Sequence, residues 1–274
     1  MLSGNRTKSH YHTKPFCLFQ PFKKLTLASG SARVFSFEEK TMSKDLIYIL
    51  KAELDTEELK YSLRSVEKNF PIRNVWFVGG QPEGLEPDKR IRHVQVGNSK
   101  WELIRSSMAK AIKEDDLSED FFLFNDDFFV MKPVDTDSFR NFVDGTLERR
   151  INELHSEQGM NPYCRTLFKL EQELKTMHEP TMNYDVHLPM LLNKEQVKAT
   201  LYKCSSPQMR SAIGNINRLS FVIHPDVKVY DLKSVPKDET FLSTNDETFQ
   251  NGKVGEYIRK TFRKPSRFEV NANA

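Results

Sequence analysis

Two adjacent carboxylates, Asp126 and Asp127, follow the apolar run Phe121-Phe-Leu-Phe124 and the polar Asn125. A run of that composition reads as a buried strand, and in open α/β sheets the carboxyl edge of such a strand is where ligands bind. Neighbouring acids repel, and hard oxygen ligands at that edge suit Mg²⁺ or Mn²⁺ bridging a diphosphate. The same residues also suit an ordinary acidic turn whose Asn and Asp cap the next element, and the pattern alone leaves both readings open. A second group is His187 with Pro189, Lys194 and nearby Asp185. An imidazole whose tautomer a carboxylate fixes can act as general base on a hydroxyl, although a lone His is more often structural. Arg210, within Gln208-Met-Arg-Ser211, is a phosphate clamp if the substrate carries phosphate and a solvated cation otherwise. Thr244-Asn245-Asp246-Glu247 is part of a polar site or, more commonly for such a cluster, a helix cap. Neither GxxxxGK[ST] nor GxGxxG occurs, so P-loop and dinucleotide folds lose their usual support.

The elements that must position these groups follow from periodicity. Asp45 to Leu50 predicts a buried strand, and Leu59, Leu63, Val66 and Phe70 recur at helical spacing up to the stop at Pro71. Asn74 to Val78 predicts a second strand and Ile91 to Val96 a third. Trp101, Ile104, Met108 and Ile112 mark a helix that Ser99 can cap, and Phe121 to Phe124 forms the fourth strand. This alternation with short links implies a mostly parallel α/β sheet with both faces covered. Residues 138–157 and 163–178 read as charged helices, followed by a helix near 194–203, a strand at 220–223 and a last helix at 251–262. The expected organisation is a leader over 1–42 and one α/β domain over 43–274 with a helical part around 138–205.

Charge separates the same two regions. The chain holds 41 Lys plus Arg against 38 Asp plus Glu, and the formal charge is +3. Residues 1–42 contribute seven basic and two acidic groups, so the body is faintly acidic. A nucleic-acid-binding domain would carry its basic surface on the fold itself, so no nucleic-acid partner is expected. The leader lacks the apolar segment of a secretory signal; it reads as an extension ahead of a start at Met42 or as a transit peptide, and is expected to be disordered. No apolar run approaches the length of a membrane helix, so membrane contact is expected to be peripheral at most. Three widely spaced cysteines read as reduced thiols of a cytoplasmic protein.

Several segments together resemble the Stealth family. Glu57-Glu-Leu-Lys-Tyr-Ser-Leu-Arg-Ser-Val-Glu-Lys-Asn69 with Asn74-Val-Trp-Phe-Val78, and then Phe121 to Phe129 with its Asn-Asp-Asp-Phe-Phe signature, resemble that family's second conserved block. His187-Leu-Pro189 with Lys194, then Arg210, resembles its third. Phe241-Leu-Ser-Thr-Asn-Asp246 with Lys264-Pro-Ser-Arg-Phe-Glu269 resembles its fourth. The order and spacing agree over about residues 45–269. The family's first block departs: where it has an Asp-Gly-Ser-Asp turn, this chain reads Ile47-Tyr-Ile-Leu-Lys-Ala-Glu53.

The resemblance implies a glycosyltransferase A-like (Rossmann-like) fold with a helical insertion, and transfer of sugar-1-phosphate from a nucleotide-diphosphate sugar to a glycan or other hydroxyl acceptor. It implies that Asp126 and Asp127 bind Mg²⁺ or Mn²⁺ and orient the acceptor, that His187 is a base or phosphate contact, and that Arg210 clamps phosphate. Asn125, Arg64, Lys194, Asn245 and Asp246 fall in the matched segments as substrate-binding positions, with Lys100 and Trp101 as further donor contacts. Two other readings share the pattern: a metal-dependent glycosyltransferase that moves the sugar alone, and an inactive sugar- or nucleotide-binding homologue.

Overall fold

The first strand, β1 (Asp45–Leu50), alternates its side chains between two cores, and this places it at the centre of the sheet. Leu46, Tyr48 and Leu50 point to one core, where helix α1 (Thr56–Asn69) lays down Leu59, Leu63 and Val66. Ile47 points to the other, where helix α2 (Lys100–Ala111) brings Met108 and Ala111. Each such fully buried side chain contributes about 1.5–3 kcal/mol relative to exposure. The computed structural model describes residues 43–51, 56–94, 99–177 and 179–270, all within Thr41–Ala274, one of two units into which the chain divides. The expectation of a disordered leader over 1–42 lies outside these residues.

β1 pairs in parallel with β2 (Val75–Gly79) on one side and β4 (Asp120–Phe124) on the other. β3 (Lys89–Ile91) extends the β2 edge in parallel, and β7 (Met190–Asn193) closes the β4 edge antiparallel, giving the order β3-β2-β1-β4-β7. The chain therefore runs outward from β1 to β3 and returns to β4 on the opposite side. That reversal is a topological switch point, and it lies between the carboxyl ends of β1 and β4. The α/β class with a mostly parallel sheet is the one the sequence predicts.

Short strands depart from expectation. β3 covers 89–91 rather than 91–96, because an exposed edge beginning Lys89-Arg90 has only Ile91 to bury; residues 95–98 lie outside the described residues. Residues 141–143 are not helical but form β6 (Asn141–Val143), parallel to β8 (Phe221–Ile223) in a separate two-stranded sheet. The helix behind β6 starts only at α3 (Leu147–Gln158), where the Thr146 side chain accepts from Arg149 N. α4 (Pro162–Lys175) follows, and α3 and α4 pack through Leu147, Ile151, Leu154, Leu167 and Leu170. After β7 come α5 (Lys194–Lys203) and α6 (Met209–Ile216). β5 (Phe128–Val130), directly after the acidic pair, pairs antiparallel with β9 (Phe241–Ser243). A short helix α7 (Asp246–Asn251) precedes, across Gly252, the last helix expected at 251–262, which is α8 (Lys253–Thr261). Among the described residues no helix is long and apolar enough to cross a membrane.

Candidate active site

Asn125, Asp126 and Asp127 form the tight turn between β4 and β5, closed by Phe128 N donating to Asn125 O at 3.3 Å. The pairing of β5 with β9 holds the turn's far side, and Ser243 and Thr244 thereby come against it. Asp127 Oδ2 accepts from Lys228 Nζ at 2.9 Å and Ser243 Oγ at 3.2 Å. Asp127 Oδ1 is buried and has no partner among the described residues. Burial, then repulsion from Asp127, pushes the Asp126 carboxyl up. Glu58, in the first turn of α1, joins this acidic group: burial and the charges of Asp127, Asp126 and Asp246 push it up to about 7, against the Thr244 hydroxyl that donates to it at 2.6 Å.

Cations balance the acids. Lys51 at the end of β1, Lys100 at the start of α2 and Lys228 line the same two adjoining cavities as Asp126. Burial pulls the Lys100 ammonium down, helped by Lys228 and Lys51, whereas for Lys228 the Asp127 carboxylate outweighs burial and pushes it up. The smaller cavity, about 460 Å³, also takes in Glu58, Asp127 and Asp246. The larger, about 860 Å³, runs from Asp126 past Arg210 to a wall on α3 and α4, where Trp101 stacks on Tyr163 at 5.7 Å and 12°.

His187 lines both cavities and is held rigidly. Its Nδ1 lies 2.6 Å from Asp226 Oδ2, and its backbone N donates to Asp226 Oδ1 at 3.1 Å. Burial would raise the Asp226 carboxyl, but the hydrogen bond and charge of His187 outweigh it and hold it below the usual range. With Nδ1 bound to a carboxylate, Nε2 is the nitrogen left for a ligand.

Arg210 occupies a different role from the one the sequence implies. Its Nη1 donates to the carbonyls of Val186 and Leu188, both at 2.8 Å, and its Nη2 to Leu188 and Leu123 at 2.9 and 3.4 Å. Four of its five N–H donors thus staple the His187 loop to the end of β4. The guanidinium also lies over the Phe128 ring at 5.5 Å, and burial pulls its pKa down to about 10. With these donors spent on the protein's own carbonyls, Arg210 stands at the cavity as a fixed positive charge.

The structure thus brings together Asn125, Asp126, Asp127, His187, Arg210, Lys100, Trp101, Asn245 and Asp246 around one pair of cavities. Asn245 doubles as the α7 cap, accepting from Thr248 N at 2.8 Å. Two expected substrate-binding residues lie in neither cavity. Arg64 forms a bidentate pair with Glu269 at 2.7 and 2.5 Å and donates to Phe262 O, tying the C-terminal segment to α1. Lys194 is spent on Glu114 O at 2.8 Å beneath the N-terminus of α5. Both are long cations whose apolar stems suit a packed seam. Sequence reasoning passed over Lys51, Glu58, Asp226 and Lys228. Lys51 had a signal, since it follows the central strand at its ligand-binding end. Glu58 looks like an ordinary helix-dipole partner, and Asp226 and Lys228 sit in a stretch without periodicity.

Among the described residues no three His, Cys, Asp or Glu side chains form a metal-binding group. The donor set still fits a hard divalent cation of the Mg²⁺ kind, which takes one or two carboxylates and completes its shell with phosphate and water. The orphaned Asp127 Oδ1 and the repelled Asp126 are the two oxygens such an ion would satisfy.

No family model matches the chain. Among solved structures it is similar to the galactosyltransferase LgtC in complex with donor and acceptor sugar analogs, at a TM-score of 0.47 and 10% identity over 81% of this chain and 96% of that one. It is also similar to 4-diphosphocytidyl-2C-methyl-D-erythritol synthase, at a TM-score of 0.33 and 13% identity over 71% and 95%. In sequence it is 30% identical over 208 residues to a capsular polysaccharide phosphotransferase of Neisseria meningitidis serogroup B. That match takes in 66% of this chain and 55% of the relative, so the chain spans about half the length of the protein it matches. The resemblance to the Stealth family read from the sequence is borne out by this match, and the chain is a sequence relative of a capsular polysaccharide phosphotransferase.

Proposed function

We propose that the chain carries the catalytic site of a sugar-phosphate transferase acting in polysaccharide or glycoconjugate synthesis. The donor is a nucleotide-diphosphate sugar and the acceptor a hydroxyl of a glycan. The observation that carries this reading is the Asp226-held imidazole of His187 beside an acidic pair and three lysines, all at the switch point of the sheet. His187 Nε2 takes the proton of the acceptor hydroxyl, whose oxygen attacks the sugar-linked phosphorus. The new O–P bond forms as the P–O bond of the diphosphate bridge breaks, and nucleoside monophosphate leaves. Lys51, Lys100 and Lys228 bind the phosphate oxygens and hold countercharge where charge develops. Arg210 fixes the His187 loop and adds a buried positive charge behind it. A Mg²⁺ or Mn²⁺ ion held by Asp126 and Asp127 would supply further neutralisation of the diphosphate when bound.

Identification of the released nucleotide tests the reading. The protein is incubated with nucleotide-sugars, a glycan acceptor and Mg²⁺ or Mn²⁺. Monophosphate release is expected; diphosphate release would make the reaction a plain glycosyl transfer, and tight donor binding without turnover would make the chain a binding module.

A further inference from the structure

The larger cavity does not end at the reacting groups. Its wall beyond them carries a second polar set that is absent from the smaller acidic cavity: Arg150 on α3, Tyr163 on α4, and Tyr230 in the segment after β8. The charge of Arg150 is only loosely met. Its one ion pair among the described residues is a loose 3.8 Å approach to Glu153, whose other oxygen already receives Arg149 at 2.7 Å. None of its guanidinium N–H groups makes a hydrogen bond among the described residues, and the hydroxyls of Tyr163 and Tyr230 likewise have no partner there. All three line the same cavity; burial and then the charge of Asp185 push the Tyr163 phenol up, and Arg150 opposes that rise.

The acids that face this wall are already matched. Asp226 is bound to His187, and Asp185 receives the Ser211 hydroxyl at 2.5 Å with Arg210 beside it. A partly shielded guanidinium answered only by the loose Glu153 approach, in a cavity that also presents two phenol hydroxyls, is suited to receive an anion. The donor's phosphates have other cations, Lys51, Lys100 and Lys228, which line the smaller acidic cavity as well as this one. The stacked Trp101–Tyr163 pair at this wall offers an apolar surface for a sugar ring.

We propose that Arg150, with the Tyr163 and Tyr230 hydroxyls, forms an acceptor subsite that selects a sugar bearing an anionic substituent, a carboxylate or a phosphate. The proposal rests on the transferase reading for the word acceptor, but the anion site itself does not depend on turnover. NMR titration of the full chain with methyl glucuronide, methyl glucoside 6-phosphate and neutral methyl glucoside tests it. At least one anionic glycoside is expected to bind about tenfold more tightly than the neutral one, and the arm with the larger preference identifies the anion. Arg150→Gln should abolish that preference. Tyr230→Phe, at an exposed residue where the fold is not at risk, should reduce it severalfold. Equal binding of all three glycosides, or a preference that survives Arg150→Gln because the anion sits on the lysines, overturns the subsite. Nucleotide release by the wild-type chain is followed separately. Anion preference without release leaves the subsite standing and removes the transfer reaction, whereas release with no preference does the reverse.

Discussion

The chemistry of the site turns on which carboxylate holds His187. Asp185, two residues away in sequence, is the apparent partner, yet it bonds to Ser211, and the imidazole is held by Asp226, 39 residues further on. A general base contributes about 10²–10⁴-fold when its proton-accepting nitrogen faces the substrate. Asp226 secures that by accepting from Nδ1–H, which leaves Nε2 as the acceptor. Asp226→Asn keeps the size of the side chain but offers an amide that can bond to the wrong tautomer. We expect kcat for transfer to fall about two orders of magnitude, the lower end of that range, with the KM for donor little changed. Steady-state kinetics checks this, and a kcat within a factor of two of wild type would show that Asp226 only fixes the loop. At this scale the sequence exposed residues that stand beside a strand end, such as Asp126 and Asp127. It concealed those whose meaning comes from a distant partner, Asp226 and Lys228, and it could not show that the donors of Arg64, Lys194 and Arg210 are consumed by Glu269 and backbone carbonyls.

At the scale of elements, long amphipathic or fully apolar segments were legible because their burial is written in their period. α1, α2, β1, β2 and β4 all lie where periodicity places them. Three-residue strands carry no period, so β5, β6 and β9 were invisible, and β5 and β9 are the two that clamp the acidic turn. A short helix, α7, precedes the helix expected at 251–262, and Gly252 and Gly255 allow a close approach between the two. A Cβ on Gly255 would run into the Phe249 carbonyl, so α8 can pack on the end of α7 only with glycine at this position. Val254, Ile258 and Phe262 then bury against Phe129, Leu242 and Phe249, beneath the strands that hold Asp127. Gly255→Ala should force the two helices apart and cost about 1–3 kcal/mol by overpacking, lowering Tm by a few to about ten degrees. Thermal unfolding followed by circular dichroism measures it, and an unchanged Tm would mean that the corner tolerates a methyl group.

Across the whole molecule the two ends of the sheet do opposite work. At the amino end of β1 the Asp45 carboxylate is buried but fully served. It accepts from Arg73 Nε and Nη2 at 2.8 and 2.7 Å, from Trp76 Nε1 at 2.9 Å, and from the backbone N of Asn74 and Ser118. Burial alone would raise this carboxyl; those hydrogen bonds and the Arg73 charge outweigh burial and hold it below its usual range. A depressed carboxylate stabilises the fold above its unfolded pKa of about 3.9, and that stabilisation is lost as pH falls through the lower folded value. At the carboxyl end Asp126 is the reverse case, raised by burial and by Asp127, so its charge is held against a cost. Removing each charge should therefore have opposite effects. Asp45→Asn should cost about 3 kcal/mol at pH 7, the low end for breaking a buried pair because Arg73 keeps partial access to water. The gap to wild type should shrink below about pH 4, where Asp45 of the unfolded chain takes up a proton, and close as the folded carboxyl protonates at its lower value. Asp126→Asn should leave Tm unchanged or slightly higher while turnover drops at least about 100-fold. Melting curves for both variants between pH 3 and 8, alongside one activity assay at pH 7, decide the matter. A Tm loss for Asp126→Asn as large as that for Asp45→Asn would show that the acidic turn holds the fold together and is not reserved for chemistry.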